Sequence, residues 1–277
     1  MLRCGKSATS SLLAGPAMAF ASEGDTTLRG VDEAIKEYER ASAPFFNYLA
    51  DAGPQFSAAH FDFFRANYFF RTQGTVPSIE LLLNAARAER DRRTAADVEA
   101  TLFEENGSGD PLAAHPLMLE RSHNTHAGVI FNLSALALAD AWRSPHILDA
   151  TRRFRHEQEA LYADASYPRV LGASLAQEAA AVAMLDRFRR SLFLPYAVRY
   201  TERRQFAEVD RYFSCHLAGV EQEHAARARA SVRRACRTHA DVHNMQDGLD
   251  RFLEAQALLW DAMLHGLVAL DGIRGSR

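Results

Sequence analysis

The residues best suited to chemistry are two histidines and a glutamate in one short stretch. His216, Glu221 and His224 lie in a segment without proline that is rich in helix-forming residues. In an α-helix, residues three or four positions apart share a face, so Glu221 and His224 are expected to present their side chains side by side. Helical proteins hold iron in a bundle core with this Glu-x-x-His arrangement, completed by acids from facing helices. The stretch therefore predicts a metal site.

Two further stretches offer the remaining ligands. Glu105 and His115 are separated by the loop 106–109, whose glycines allow an acid at the end of one helix and a histidine on the next to converge. Glu178 stands alone in an apolar run, where an unpaired charge is unfavourable and a metal ion offsets it. Two alternatives stay open, since Glu105 also fits a surface cap and Glu178 also fits a water-facing position. Glu104 is the competing acid, and its register points it elsewhere.

Taken in order, these stretches resemble the haem-oxygenase-like di-iron oxidases and oxygenases, relatives in fold of the TenA and PqqC proteins. The resemblance covers roughly residues 35–265. It implies an all-α fold and metal ligands at seven positions: Glu80, Glu105, His115, Glu178, His216, Glu221 and His224. Glu80 is included because family members that oxidise nitrogen place an extra carboxylate at a similar interval before the first glutamate.

One spacing departs from the family pattern. The family more often places its two late histidines seven residues apart, whereas His216 and His224 are eight apart. A π-bulge absorbs one extra residue in a helix, and Gly219 lies where a bulge is easily accommodated. Without a bulge, His216 rotates away from the other ligands by roughly 100°.

The resemblance implies two Fe(II) ions, bridged by a carboxylate such as Glu178, that activate O2 to oxidise a small organic substrate. Amino-acid or amine N-oxygenation, C–C cleavage and fatty-acid decarboxylation are the reactions of such enzymes. The same ligands accept manganese in place of one iron, and an external electron donor and a homodimer are compatible with the family. One alternative is a metal-free hydrolase or cofactor-pathway enzyme on this fold, with Cys215 as a nucleophile. Another is a helical binding protein whose histidines and acids are structural.

A strongly aromatic helix, residues 60–70, offers walls for a substrate pocket. Phe64 and Tyr68 are the predicted substrate contacts, although plain core packing explains them equally well. His123 and His126 follow His115 by two and three helical turns and lie too far along the axis to share its metal. Surface or hydrogen-bonding roles are expected for these two histidines.

The remaining pattern is helical from Gly30 onward, with neither alternating strands nor an internal repeat. We predict a single compact haem-oxygenase-like bundle of about seven or eight helices over residues 30–272, preceded by a flexible leader over residues 1–29. Ser78 is a candidate N-cap. Pro116 predicts a restart of the helix just after His115, and an apolar helix is predicted over residues 127–141.

Bulk composition narrows the function classes. The chain has 277 residues, 48% of them hydrophobic, which suits a buried core. Its net charge of −3 and its lack of a basic block argue against a nucleic-acid partner. No apolar run is long enough to cross a membrane. The odd number of cysteines favours a reducing, cytoplasmic location; residues 19–21 mimic a signal-peptidase site, so export is the alternative.

Overall fold

The computed structural model describes residues 23–274, with side chains described for residues 30–272. This part of the chain is helical and contains no strand, which confirms the all-α prediction. The helices are α1 (Glu23–Ala52), α2 (Ala58–Thr72), α3 (Thr75–Ala88), α4 (Arg92–Glu105), α5 (His115–Phe131), α6 (Asp149–Tyr162), α7 (Tyr167–Phe188), α8 (Arg203–Cys215), α9 (Glu221–Ala235) and α10 (His239–Arg274).

The ten α-helices of the described residues exceed the seven or eight that the sequence predicted. Short turns divide the chain at more places than the hydrophobic pattern indicated. The helix α1 begins at Glu23, inside the stretch for which a flexible leader was predicted. The rest of that stretch, including the signal-like residues 19–21, lies outside the described residues. None of the helices in the described part is long and apolar enough to span a membrane.

The helix α7 lies at the centre of the bundle and packs most extensively on α10 and α9, with α1, α3 and α6 around it. Two glycines allow α7 and α10 to approach closely. A Cβ at Gly172 would lie 1.9 Å from the backbone oxygen of Met245, and one at Gly248 would lie 2.1 Å from the backbone oxygen of Arg169. This close packing fixes α7, the helix that carries Glu178.

Helix ends near the predicted site follow the local sequence. A short 3-10 turn at Pro111–Ala113 precedes α5, which begins at His115 with Pro116 in its first turn. The predicted restart at this point is confirmed, because proline is tolerated in a first turn where its missing N–H has no partner to lose.

Two boundary predictions were wrong. The helix predicted over 127–141 instead ends at Phe131, because Asn132 adopts a left-handed conformation with φ of 54° that closes α5. Ser78 lies inside α3 rather than capping it, since α3 begins at Thr75 after Gly74. Ser78 is buried there.

Candidate metal centre

Six of the seven predicted ligands meet in the interior. Glu105 ends α4, His115 begins α5 and Glu178 lies in the middle of α7. His216 follows the end of α8, and Glu221 and His224 lie in the first turn of α9. All six are buried, with exposed fractions between 3% and 8%. We refer to these six residues as the acid–imidazole cluster.

A π-helical segment, His216–Val220, joins α8 to α9 and sets the orientation of His216. Within it Gly219 has φ of 118°, a conformation that residues with a Cβ rarely adopt. The segment absorbs the extra residue between the two histidines, so His216 stays on the inner face, where its Nδ1 lies 2.5 Å from Oε1 of Glu221. The predicted bulge at Gly219 is confirmed.

Glu178, Glu221 and His224 form one half of the acid–imidazole cluster. One possible ligand atom from each residue can be chosen so that all three atoms lie within 4.8 Å of one another, which a single metal ion can span. Oε2 of Glu178 lies 3.6 Å from Nδ1 of His224. Burial, with Glu221 and Glu105 nearby, raises the pKa of Glu178. A cation placed here would relieve that repulsion.

Glu105, His115 and His216 form the other half. Nδ1 of His115 lies 3.0 Å from Oε1 of Glu105, yet the angle makes no hydrogen bond and this nitrogen has no hydrogen-bond partner. Nε2 of His216 is likewise buried and unpartnered. The two imidazole rings lie 4.3 Å apart between centroids. Nε2 of His123 and Nε2 of His126 are also unpartnered, so the ring nitrogens of His115 and His216 favour metal coordination only together with the carboxylates beside them.

A salt bridge behind the cluster orients His224. Nε2 of His224 contacts Oε2 of Glu104 at 2.8 Å, and both oxygens of Glu104 accept hydrogen bonds from Arg227 at 3.1 Å. A metal-binding histidine commonly donates its second N–H to such a carboxylate, which fixes the ring and leaves the other nitrogen free to bind. Register within α4 predicted that Glu104 points elsewhere, but its carboxylate contacts His224 at the edge of the cluster.

The acids and imidazoles of the cluster shift one another's pKa values. Burial alone would raise the pKa of Glu105, but His115 and the neighbouring imidazoles lower it below its ordinary value. Burial alone would lower the pKa of His224, but Glu178 and Glu104 outweigh it and raise that pKa to about 9. Glu105 and His115 thus favour each other's charged form, as do Glu104 and His224. A divalent cation would displace the protons of these imidazoles and supply the same compensation.

The donor set therefore fits a metal site. It offers carboxylate and imidazole ligands from four separate helical segments, and two of its ring nitrogens make no hydrogen bond. Mixed oxygen and nitrogen donors without thiolate suit iron or manganese. In the described residues, Glu178, Glu221 and His224 are the group whose atoms are already close enough for one ion.

The structure does not bring Glu80 to this group, which corrects its assignment as a ligand. Glu80 is exposed on α3, whose buried stripe is formed by Ile79, Leu82, Leu83 and Ala86. A helix that buries positions i, i+3, i+4 and i+7 turns the residue after the first of them outward.

A cavity of about 280 Å³ opens beside the cluster. Glu105, His115, Glu178, His216 and Glu221 lie in its wall. The other lining residues are mostly apolar or aromatic and include Tyr68, Val76, Leu119, Ala181, Met184, Leu185 and Tyr212.

Of the two predicted substrate contacts, only Tyr68 lines this cavity. Phe64 lies behind Tyr68, with the two rings stacked at 5.7 Å between centroids, and it belongs to the core. The prediction that Phe64 contacts substrate is therefore not supported, whereas Tyr68 is in a position to do so.

His123 and His126 are fully buried, so the surface role considered for them was wrong. Nδ1 of His123 faces the backbone oxygen of Leu119 at 3.1 Å, and Nδ1 of His126 faces the hydroxyl of Tyr200 at 2.6 Å. Aromatic rings surround both imidazoles. Burial lowers the pKa of each to about 3, so both are neutral. We refer to them as the aromatic histidine pair.

Cys215 lies beside the cluster, with its Sγ 4.0 Å from Nε2 of His115. It is half-buried. Burial raises the pKa of its thiol, and Glu105 and Glu221 raise it further. A nucleophilic cysteine needs the opposite environment, one that lowers its pKa. These surroundings disfavour a thiolate nucleophile at Cys215.

Comparison with solved structures shows what fold the chain has. It is similar to the crystal structure of a CADD-like protein of unknown function from Nostoc punctiforme, with a TM-score of 0.62, 19% identity, and coverage of 84% of this chain and 99% of that one. It is also similar to a domain of unknown function with a heme oxygenase-like fold from Shewanella denitrificans, with a TM-score of 0.64, 16% identity, and coverage of 89% and 94%.

No family model matches the chain, and no curated protein matches it in sequence. At these identities the structural likeness concerns the fold alone, and it confirms the predicted haem-oxygenase-like bundle.

Proposed function

We propose that this protein is a non-haem di-iron oxidoreductase that uses O2 to oxidise a small organic substrate. The observation that carries the proposal is the convergence of three buried carboxylates and two buried imidazoles on one cavity, with the buried imidazole of His224 in contact with Glu178 behind them. The haem-oxygenase-like fold supports it, since the sequence resembles di-iron members of that fold in the same residues. The chemistry that two bound ferrous ions supply is the reductive activation of O2.

In this proposal the ligands divide into two groups. Glu178, Glu221 and His224 would hold one ion, and Glu105, His115 and His216 would hold the other. Glu221 contacts His216 directly and also belongs to the first group, so its carboxylate lies between the two. Glu178, the bridge that the resemblance implies, contacts His224. Glu221 is thus placed to join the halves of the cluster, whereas the bridging role of Glu178 rests on the resemblance.

The surrounding residues fix the ligands and exclude water. Arg227 and Glu104 hold the ring of His224 in place. The hydroxyls of Tyr68 and Tyr212 lie 3.4 Å apart at the cavity wall. Burial raises the pKa of both phenols, which keeps their protons in place as hydrogen-bond donors. Apolar walls formed by Leu119, Met184 and Leu185 make the site suitable for a largely hydrophobic substrate.

Two further features of the proposal come from the resemblance. Reduction of O2 by a di-iron site needs electrons that the substrate does not always supply, so an external electron donor is included. Manganese is acceptable at one of the two positions because the donor set is the same.

Anaerobic titration of the metal-free protein with Fe(II) tests this function. We expect binding to saturate at about two irons per chain, as in other carboxylate-bridged bundles, and a transient visible absorption on exposure to O2. Metal analysis after desalting measures the first, and stopped-flow spectroscopy the second. A protein that takes up no iron, or that holds iron without reacting with O2, would contradict the proposal.

A further inference from the structure

Arg71 is a buried cation in the wall of the same cavity. It lies in the last turn of α2 and is 6% exposed. Tyr68, three residues earlier, shares its face of α2 and also lines the cavity. A charged side chain at this depth requires compensation, because transfer of a charge out of water is unfavourable.

Neutral groups hold the guanidinium in position. One nitrogen, Nη2, donates to Oε1 of Gln256 at 2.5 Å, and Cζ lies 5.4 Å from the centroid of the Phe154 ring. The amide nitrogen of Gln256 donates to the hydroxyl of Tyr38 at 2.6 Å, which turns its oxygen toward Arg71. The indole of Trp260 donates to the same hydroxyl at 2.9 Å. The arginine is therefore oriented without being neutralised.

Among the described residues, no acid forms an ion pair with Arg71, and its Nε has no hydrogen-bond partner. Arg65, on the same helix and 3% exposed, shows the usual solution, since its Nη2 pairs with Asp62 at 2.5 Å. The charge of Arg71 is thus available to an anion that enters the cavity.

We propose that Arg71 binds the carboxylate of the substrate, so that the apolar body of the substrate extends from Arg71 toward the acid–imidazole cluster. The guanidinium fork matches a carboxylate in geometry. The single charge of Arg71 balances the single charge of a carboxylate, whereas a phosphate dianion would leave one negative charge uncompensated there. The substrate class is a small organic acid with a hydrophobic chain or ring.

This inference names the substrate class of the proposed oxidase and so rests on the proposed function for the chemistry. Binding of the acid itself requires only Arg71 and the cavity. It places the carboxylate away from the metal ligands, so the atoms that are oxidised belong to the distal part of the substrate.

The test measures binding of butanoate, hexanoate and octanoate, with the corresponding neutral amides as matched controls, by calorimetry. It uses wild-type protein in metal-free and Fe(II)-loaded forms, together with Arg71→Met and Arg71→Lys. We expect the best acid to bind both wild-type forms roughly tenfold or more tightly than its amide, as expected for hydrogen bonds to a charged group. Arg71→Met should remove that difference, and Arg71→Lys should keep part of it.

Melting temperatures of the ligand-free variants separate binding from structure. If Arg71 serves ligand binding rather than stability, Arg71→Met should melt at the wild-type temperature or higher. The reason is that the substitution removes an uncompensated buried charge. If Arg71→Met melts much lower, Arg71→Lys carries the binding comparison.

Three results would overturn the inference. The first is equal affinity of the wild-type protein for acid and amide, and the second is unchanged acid binding in a folded Arg71→Met. The third is acid binding that requires iron but not Arg71, which would mean that the carboxylate coordinates the metal. Failure of the proposed function looks different. Arg71-dependent acid binding by a protein that takes up no iron would refute the oxidase and leave the carboxylate site standing.

Discussion

The helix α5 carries histidines of two opposite kinds. At its N-terminus His115 faces Glu105 and belongs to the acid–imidazole cluster. Two and three turns later His123 and His126 form the aromatic histidine pair, enclosed by rings such as that of Phe193. Both sites are buried, but the carboxylate raises the pKa of His115 against the effect of burial, whereas burial alone dominates at the aromatic pair and lowers its pKa values.

The difference teaches that neither residue type nor burial identifies a ligand. Carboxylates from other helices make the imidazoles of the first region part of a charged site. In the second region, aromatic rings from other segments enclose the imidazoles of His123 and His126 in the core. One nitrogen of each imidazole makes a hydrogen bond. Only the surroundings supplied by the rest of the fold separate the two cases.

The largest predicted effect concerns metal binding. His224→Ala should lower iron uptake from about two ions per chain to one or none, because it removes a ligand from one group. His123→Phe, the matched change in the aromatic region, should leave uptake unchanged. Metal analysis after anaerobic loading measures both, with circular dichroism to verify folding. Full iron in His224→Ala, or loss of iron in a folded His123→Phe, would break the distinction between the regions.

The next effect concerns acid stability of the aromatic histidine pair. The folded-state pKa of about 3 lies below the ordinary value of 6.5, so the unfolded chain takes up protons first as pH falls. The stability contributed by neutral His123 and His126 is complete above pH 6.5 and is lost between there and pH 3. The slope is about 1.4 kcal/mol per pH unit for each histidine.

Urea unfolding of metal-free protein at pH 7, 6, 5 and 4 measures this loss of stability. Carboxylates titrate over the lower part of this range, so the difference between wild type and His123→Phe isolates the imidazole. The variant should show a shallower decline. Parallel declines would mean that His123 is not held neutral in the folded protein.

A smaller effect is expected behind the cluster. Glu104→Gln keeps an oxygen near Nε2 of His224 but removes the charge that orients the ring and pairs with Arg227. Such changes weaken metal affinity by about 10- to 100-fold. Glu99→Gln, on the same helix and in an exposed pair with Arg87, is the control and should have no effect. Competition with a chelator measures the affinities, and equal values for the two variants would remove Glu104 from the site.

The smallest effect concerns the π-helical segment. Gly219→Ala forces a Cβ into a left-handed conformation, which is unfavourable by about 1–2 kcal/mol. The strain should be relieved by rotation of His216, which weakens the binding of one ion more than the other. Gly128→Ala is the control, since Gly128 lies in the interior of α5 with ordinary helical geometry and should gain slightly in stability. A Gly219→Ala protein with wild-type stability and iron affinity would contradict this role.

The sequence predicted the features that depend on residues close together along the chain. The spacing of His216 and His224 required a bulge, and Gly219 is where the structure has it. Pro116 marked the start of α5. Register within α4 predicted Glu105 as the inward-facing acid, and Glu105 is buried, but register missed the contact between Glu104 and His224.

Other features depend on how helices are rotated against one another, which spacing does not fix. The interval from Glu80 to Glu105 does not determine which side of α3 Glu80 faces. The apolar stripe on α3 shows that Glu80 faces away from the interior. The burial of His123 and the depth of Arg71 follow from rings and amides supplied by distant segments. Such residues are recognised only when the packing is known.

Anomalous diffraction at the iron edge from crystals loaded anaerobically with Fe(II) tests the central claim most directly. The account predicts two peaks within the acid–imidazole cluster, one beside Glu178 and His224 and the other beside Glu105 and His115, with none near His123 or His126. Peaks confined to the protein surface, or no peak inside the bundle of a protein shown to be folded, would contradict it.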